Sequence, residues 1–193
     1  MSEIIFIRHG ETDMAGSFCG HSNPALNSDG ENQAKRVAEE IASLGIERLY
    51  SSDLLRASQT ALAIGQRVGI QVKTRSNLRE IFFGQWEGLQ WNEIEKLFPQ
   101  DAEQWLREFP LRTAPEGESY LNFTHRIDSI LQQLICEAEE RRTAIVTHRG
   151  VMRYALTKFF GFPEDDVWPM TASYGATIVA PLSLRPLEIA STT

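Results

Sequence analysis

Four consecutive apolar residues, Ile4-Ile5-Phe6-Ile7, run straight into Arg8-His9-Gly10. A strand without polar alternation must be covered on both faces, as in a parallel sheet between two helical layers. The following sequence supplies such helices. Ser28 and Glu31 read as a capping box ahead of Ala34, Val37, Ala38, Ile41 and Leu44 at helical spacing, with Gly45 as the stop. Ile46 to Tyr50 reads as a second strand. The next helix turns Leu54, Ala57, Ala61, Ile64 and Val68 inward, with Ser52 or Asp53 as its cap and Gly69 at its end. Ile70 to Thr74 gives a third strand. Ser119 caps a long helix with the stripe Phe123, Ile127, Ile130, Leu131, Leu134 and Ile135, and Ala144-Ile145-Val146 is another buried strand ending at Thr147-His148. A helix from Gly150 to Phe160 stops at Gly161 and Pro163, and Thr177–Ala180 and Leu184–Ile189 read as closing strands. The alternation predicts an α/β fold of three layers, α/β/α, around a mostly parallel central sheet.

No repeat, low-complexity segment or linker interrupts this pattern, so residues 1–193 are expected to form a single domain of ordinary size. The stretch 81–117 breaks the alternation. It carries Phe82, Phe83, Trp86, Trp91 and Trp105 with Pro99, Pro110 and Pro115, and reads as a small helical insertion with helices near Asn92–Leu97 and Ala102–Glu108. It is either a lid over a site or added packing, since tryptophans are most often structural.

The chain has 26 acidic and 19 basic residues, a formal net charge of −7. That balance disfavours nucleic acid and anionic membrane surfaces as partners. Cys19 and Cys136 have no partner at metal-ligand spacing, so neither a disulfide framework nor a zinc site is expected, and no cofactor or metal is implied. No signal peptide and no membrane-length apolar run is visible, which makes the cytoplasm the expected location. Oligomeric state is open, a homodimer included.

The reactive side chains gather at strand ends. Arg8 and His9 follow the first strand, Ser51-Ser52-Asp53 the second, Arg79-Glu80 the third, and His148 ends the fourth, while Arg56 lies on the first turn after Ser52. Ligands of open α/β sheets bind outside the carboxyl ends of the strands. Guanidinium forks and free helix N–H groups match phosphate oxygens. An unprotonated histidine is a competent nucleophile toward phosphorus, a carboxylic acid can protonate the leaving oxygen, and a second, protonated histidine can neutralise the transferring group. His21 and His125 lack strand-end context and read as structural or surface residues.

Arg8-His9-Gly10-Glu11-Thr12 resembles the RHGE[ST] signature of the histidine phosphatase (phosphoglycerate mutase-like) superfamily. Three further blocks follow in order: Ser51 to Ala61, Leu78 to Ile81 with Gly84, Trp86, Glu87 and Gly88, and Gly117-Glu118-Ser119 with Val146 to Gly150. The resemblance implies a metal-independent phosphomonoesterase. His9 would be the phosphorylated nucleophile, Glu80 the proton donor and later the base, and Arg8, Arg56, His148 and Arg149 the holders of a small phosphate ester. Two positions depart from the family pattern. Ala15 stands where an Asn is frequent, and Arg149 stands at the middle of the usual HGG.

Phosphoryl transfer of the mutase type and a non-catalytic phospholigand-binding module are the alternatives. The run Gly88-Leu89-Gln90-Trp91 has Trp where the glycolytic mutases carry Lys, which disfavours the first; Glu80 beside two histidines disfavours the second. The runs Glu80 to Glu87 and Gly20-His21-Ser22 resemble the α-ribazole phosphatase branch of cobalamin synthesis. That likeness implies α-ribazole 5′-phosphate as a candidate substrate, with His21, Ser22, Phe83, Trp86 and Trp91 around it.

Overall fold

A computed structural model of the chain describes residues 3–184. The first strand, β1 (Glu3–Arg8), has its four central residues buried, as the unbroken apolar run requires. Its side chains divide between two cores by strand alternation. Ile5 and Ile7 pack with Ala144, Val146 and Leu49 under α1 (Ser28–Ala42) and α2 (Leu55–Val68). Ile4 and Phe6 pack with Ile145 under α5 (Tyr120–Glu140) and α6 (Arg149–Phe160). Sheet and helices thus form the three layers expected.

Five strands make the sheet in the order β3-β2-β4-β1-β5, where β2 is Arg48–Ser51, β3 Val72–Thr74, β4 Thr143–Thr147 and β5 Thr177–Pro181. All neighbours are parallel except β5, which runs antiparallel to β1. β4 therefore sits between β1 and β2, and its register pairs Arg8 with Thr147 and Ser51 with Val146. The residues just past these pairs are His9, His148 and Ser52. Strand order alone brings the two histidines side by side.

Between β3 and α5 the chain forms α3 (Trp91–Leu97) and α4 (Pro99–Glu108), close to the two helices expected within 81–117. This segment has its own small core of Trp86, Ile94, Ala102, Trp105 and Ala114. A short helix that the sequence reading passed over, α7 (Glu164–Met170), follows α6. Its first turn carries Glu164, Asp165 and Asp166, a charge placement that suits a helix N-terminus.

Two expected caps are corrected. The N-cap of α1 is Asn27, whose Oδ1 accepts from the Gly30 N–H, so Ser28 lies within the helix. Leu54, rather than Ser52 or Asp53, precedes α2; the Leu55 N–H is met instead by Asn23 Oδ1 from a distant loop. Ser119 does cap α5, accepting from Asn122 N. Of the closing strand expected at Leu184–Ile189, Leu184 lies in a 3-10 turn and the remainder falls outside the described residues. Among the described residues no helix is long and apolar enough to cross a membrane.

Candidate active site

His9 is buried at the end of β1, fixed by its own N–H to the Thr147 carbonyl at 3.0 Å. Its Nδ1 lies 2.7 Å from the Gly10 carbonyl oxygen. A carbonyl only accepts, so Nδ1 carries the proton and Nε2 keeps its lone pair. Arg56 Nε–H donates to that Nε2 at 3.2 Å. Burial, followed by the charge of Arg56, holds His9 well below the ordinary histidine range. The result is a neutral imidazole of defined tautomer.

His148 stands 5.1 Å away, ring centre to ring centre, and both of its ring nitrogens are buried without a hydrogen-bond partner. Burial, then Arg56 and His9, push it well below the ordinary range as well. The expectation of a protonated second histidine is thus corrected for the free site: two adjacent, tilted imidazoles beside two arginines cannot both charge cheaply. Unmet buried nitrogens of this kind are uncommon and suit a ligand oxygen.

Arg56 is almost fully buried, yet no carboxylate pairs with it among the described residues. Its Nη groups donate to the carbonyls of Ser22 at 2.6 Å, Gly20 at 2.8 Å and Cys19 at 3.1 Å. That loop is held in turn by Glu87. Oε1 accepts from His21 N and Phe83 N, and Oε2 from the Ser22 N–H and hydroxyl. Burial pushes the Glu87 carboxyl up, but these hydrogen bonds outweigh it and hold the group below the usual carboxylate value. Gly20 is required here, since a Cβ would overlap the Ile81 carbonyl and Glu87 Oε1. Arg8 donates to the Thr171 carbonyl at 3.2 Å and to that of Ala172, and its guanidinium lies 4.1 Å over the Tyr174 ring. It too meets carbonyls and a ring, with burial depressing its proton affinity.

Glu80 is largely buried, with Oε2 accepting from the Gly150 N–H at 2.8 Å and Oε1 from the Ile81 N–H at 3.0 Å. The carboxyl packs so closely on Gly150 that a Cβ there would overlap Oε1. Arg126 pins the backbone beneath it. Its guanidinium donates to the carbonyls of Asn77, Arg79 and Glu80 at 2.9, 2.7 and 2.8 Å, while Glu118 pairs with it through both oxygens. Asp53 and Arg79 tie the end of β2 to the same segment by a second bidentate pair.

Arg8, His9, Glu80, Arg149, Gly150 and Tyr174 line a cavity of about 960 Å³. Its outer wall includes Phe83, Trp105, Phe109, Tyr120 and Phe123. Of the residues expected at the site, Arg8, His9, Glu80, Phe83 and Arg149 line the cavity; Arg56 and His148 are buried outside its lining, and four others lie outside it as well. Trp86 is fully buried in the core of the 81–117 segment, and Trp91 packs against that core. His21 binds the Glu80 carbonyl, and Ser22 binds Glu87 and Arg56. These four are corrected to supporting roles. Ala15 is exposed and outside the lining.

Sequence reasoning missed Arg126, Arg153, Trp168 and Tyr174, and left Glu118 and Glu87 without roles. Arg126 sits beside the apolar stripe of α5, a place where a charge signals only an interface edge. Among the described residues no group of three or more His, Cys, Asp and Glu side chains is arranged to hold a metal ion.

One sheet edge thus brings together two histidines, two carbonyl-bound arginines and a buried carboxyl. The sequence model described as "Histidine phosphatase superfamily (branch 1)" matches residues 4–183. The chain belongs to that superfamily, and its activity is that of a phosphoric monoester hydrolase. It is similar to phosphoserine phosphatase 1 of Hydrogenobacter thermophilus, at 27% identity over 87% of this chain and 81% of that protein. It is 35% identical to phosphoglycerate mutase-like protein 4 of Arabidopsis thaliana, over 79% of this chain and 68% of the other. The crystal structure of the α-ribazole phosphatase from Shigella flexneri shares the fold, with a TM-score of 0.82 at 23% identity, covering 92% of this chain and 89% of that one.

Proposed function

We propose that the chain hydrolyses a small phosphate monoester without a metal, through a phosphohistidine on His9. The carrying observation is the His9 tautomer: Nδ1–H is committed to the Gly10 carbonyl, so Nε2 carries the nucleophilic lone pair, which in the reaction is released from the Arg56 N–H as that donor turns to a phosphoryl oxygen. Nε2 attacks phosphorus and the bond from phosphorus to the ester oxygen breaks. Protonated Glu80 gives its proton to that oxygen. Glu80, now a carboxylate, takes a proton from water, whose oxygen attacks phosphorus and releases phosphate from Nε2. Arg8, Arg56 and His148 hold the phosphoryl oxygens, and the bound dianion supplies the charge that makes protonation of His148 favourable.

A module that only bound the ester would gain nothing from a buried carboxyl next to its anion site, because like charges there weaken binding. The 81–117 segment forms the lid, with Phe83 and Trp105 toward the leaving group. α-Ribazole 5′-phosphate stays among the candidate esters on the strength of that aromatic wall, although Trp86 and Trp91 contribute nothing to it. Turnover of p-nitrophenyl phosphate in EDTA, together with acid-sensitive phosphate labelling of His9, tests the mechanism. Activity that collapses on chelation, or a His9→Ala variant with unchanged turnover, would refute it.

A further inference from the structure

The cavity is longer than a phosphoryl group needs, and its charge does not end at the histidines. α6 begins at Arg149 and lays one face along the cavity: Arg149, Gly150, Arg153, Tyr154, Thr157 and Lys158 all line it. With a rise of about 1.5 Å per residue, Arg153 lies roughly 6 Å beyond Arg149, and Lys158 roughly 13 Å. Both guanidinium groups rest on the Trp168 ring of α7, at 4.2 and 4.0 Å from its centre. Stacking on an indole orients a guanidinium while leaving its N–H edge available.

The charges here are not balanced. Arg149 forms no ion pair among the described residues; one Nη donates to the Trp168 carbonyl at 3.3 Å. Arg153 pairs with Glu164 at 3.0 Å, but that carboxylate is 71% exposed and so a weak, exchangeable partner. The lining holds Arg8, Arg149, Arg153 and Lys158 against Glu80 and Glu164 only, and Arg56 lies beneath. A phosphoryl dianion is matched by Arg8 and Arg56, which leaves the α6 cations in excess. In a chain of net charge −7, a cationic row confined to one cavity wall is a local feature rather than a spill-over of composition.

We propose that Arg149 and Arg153 form a second anion subsite, so that the preferred ester carries another acidic group several ångström beyond its phosphoryl group. This rests on the hydrolase reading above and narrows its substrate class. It assigns Arg149, the residue at the middle of the usual HGG, to specificity at the leaving-group side rather than to the phosphoryl group.

The test compares kcat/KM for 4-carboxyphenyl phosphate and 4-carbamoylphenyl phosphate, which match in size and differ in one charge. The amide has the slightly better leaving group, which biases against the proposal. The acid is expected to be preferred by on the order of tenfold, the scale of one charge-assisted hydrogen bond. That ratio is expected to fall toward unity in Arg149→Gln and in Arg153→Gln. Because it is taken on one preparation, it does not depend on the fraction of variant that folds. Equal kcat/KM values for the two esters in the unaltered chain would overturn the subsite and leave the hydrolase reading intact. A preference that survives both substitutions would overturn the assignment to these arginines. Turnover of neither ester would overturn both readings together.

Discussion

Replacing Arg126 by Gln should expose how Glu80 is positioned. Arg126 is not itself a lining residue of the cavity, yet its guanidinium binds the carbonyls of Asn77, Arg79 and Glu80 and both oxygens of Glu118. The pair is 18% and 15% exposed, so it is nearly buried. Breaking a fully buried pair costs about 3–5 kcal/mol, and the residual solvent access here reduces that to about 2–3 kcal/mol. For a chain of this size the expected fall in Tm is about 5–10 °C. Folded enzyme should survive, but the Glu80 backbone would lose a donor and its carboxyl a defined position. A misplacement of about 1 Å costs up to about 100-fold, and general acid catalysis as a whole is worth about 100- to 10,000-fold. The loss should therefore depend on the leaving group. For an alkyl phosphate, whose alkoxide must be protonated, kcat is expected to fall about 30- to 100-fold. For p-nitrophenyl phosphate, which leaves as a stabilised phenolate, it should fall only a few-fold. Arg126→Lys keeps one charge but cannot reach all five acceptors, and should recover part of the loss. Equal losses on the two esters would show that Arg126 supports the fold without positioning a proton donor.

Gly150→Ala should act on the same group from the other side, because its Cβ would occupy the space of Glu80 Oε1; kcat for alkyl phosphates is expected to fall at least tenfold with little change in far-UV circular dichroism, and an unchanged kcat would refute the packing argument. Stability should fall with pH on the acid side. His9 and His148 bind protons less readily in the native chain than in the unfolded one, so their contribution is complete above about pH 6.5 and declines below it, at up to about 1.4 kcal/mol per pH unit for each. Urea titrations between pH 7 and 5 should show that slope, and His148→Gln should flatten it; a slope unchanged in the variant would contradict the depressed proton affinity.

Much of this was legible in the chain because the physics involved is local. Ile4 to Ile7 had to be covered on both faces, and the two cores divide its side chains by simple alternation. Arg8, His9, Arg56, Glu80 and His148 could be gathered because α/β sheets bind ligands at strand ends. What stayed hidden depended on partners remote in sequence. The adjacency of His9 and His148 requires β4 to enter between β1 and β2, which chain order does not reveal. The donor at the start of α2 is answered by Asn23, 32 residues away, so a search for a local cap chose wrongly. The family likeness and the aromatic clustering point Trp86 and Trp91 toward the ligand. Clustering does not say which face they turn, and the 81–117 segment needed a core of its own. Arg126 and Glu118 carry no local mark of the segment they hold.

The same division explains how an acidic chain keeps an anion site open. A buried arginine is ordinarily neutralised by a carboxylate, which would compete with a phosphoryl group for the same N–H edge. Arg56 and Arg8 are instead solvated by carbonyls: Cys19, Gly20 and Ser22 for one, Thr171 and Ala172 for the other. Carbonyl dipoles satisfy hydrogen bonds without cancelling charge. Apart from Glu80, the carboxylates of this region, Glu87, Glu118 and Asp53, are spent on backbone N–H groups or on Arg126 and Arg79, outside the cavity lining. The two histidines bind protons weakly, so the site does not carry four adjacent charges. The positive charge that remains is held at fixed positions, where, in the reaction proposed above, a phosphoryl dianion offsets its electrostatic cost.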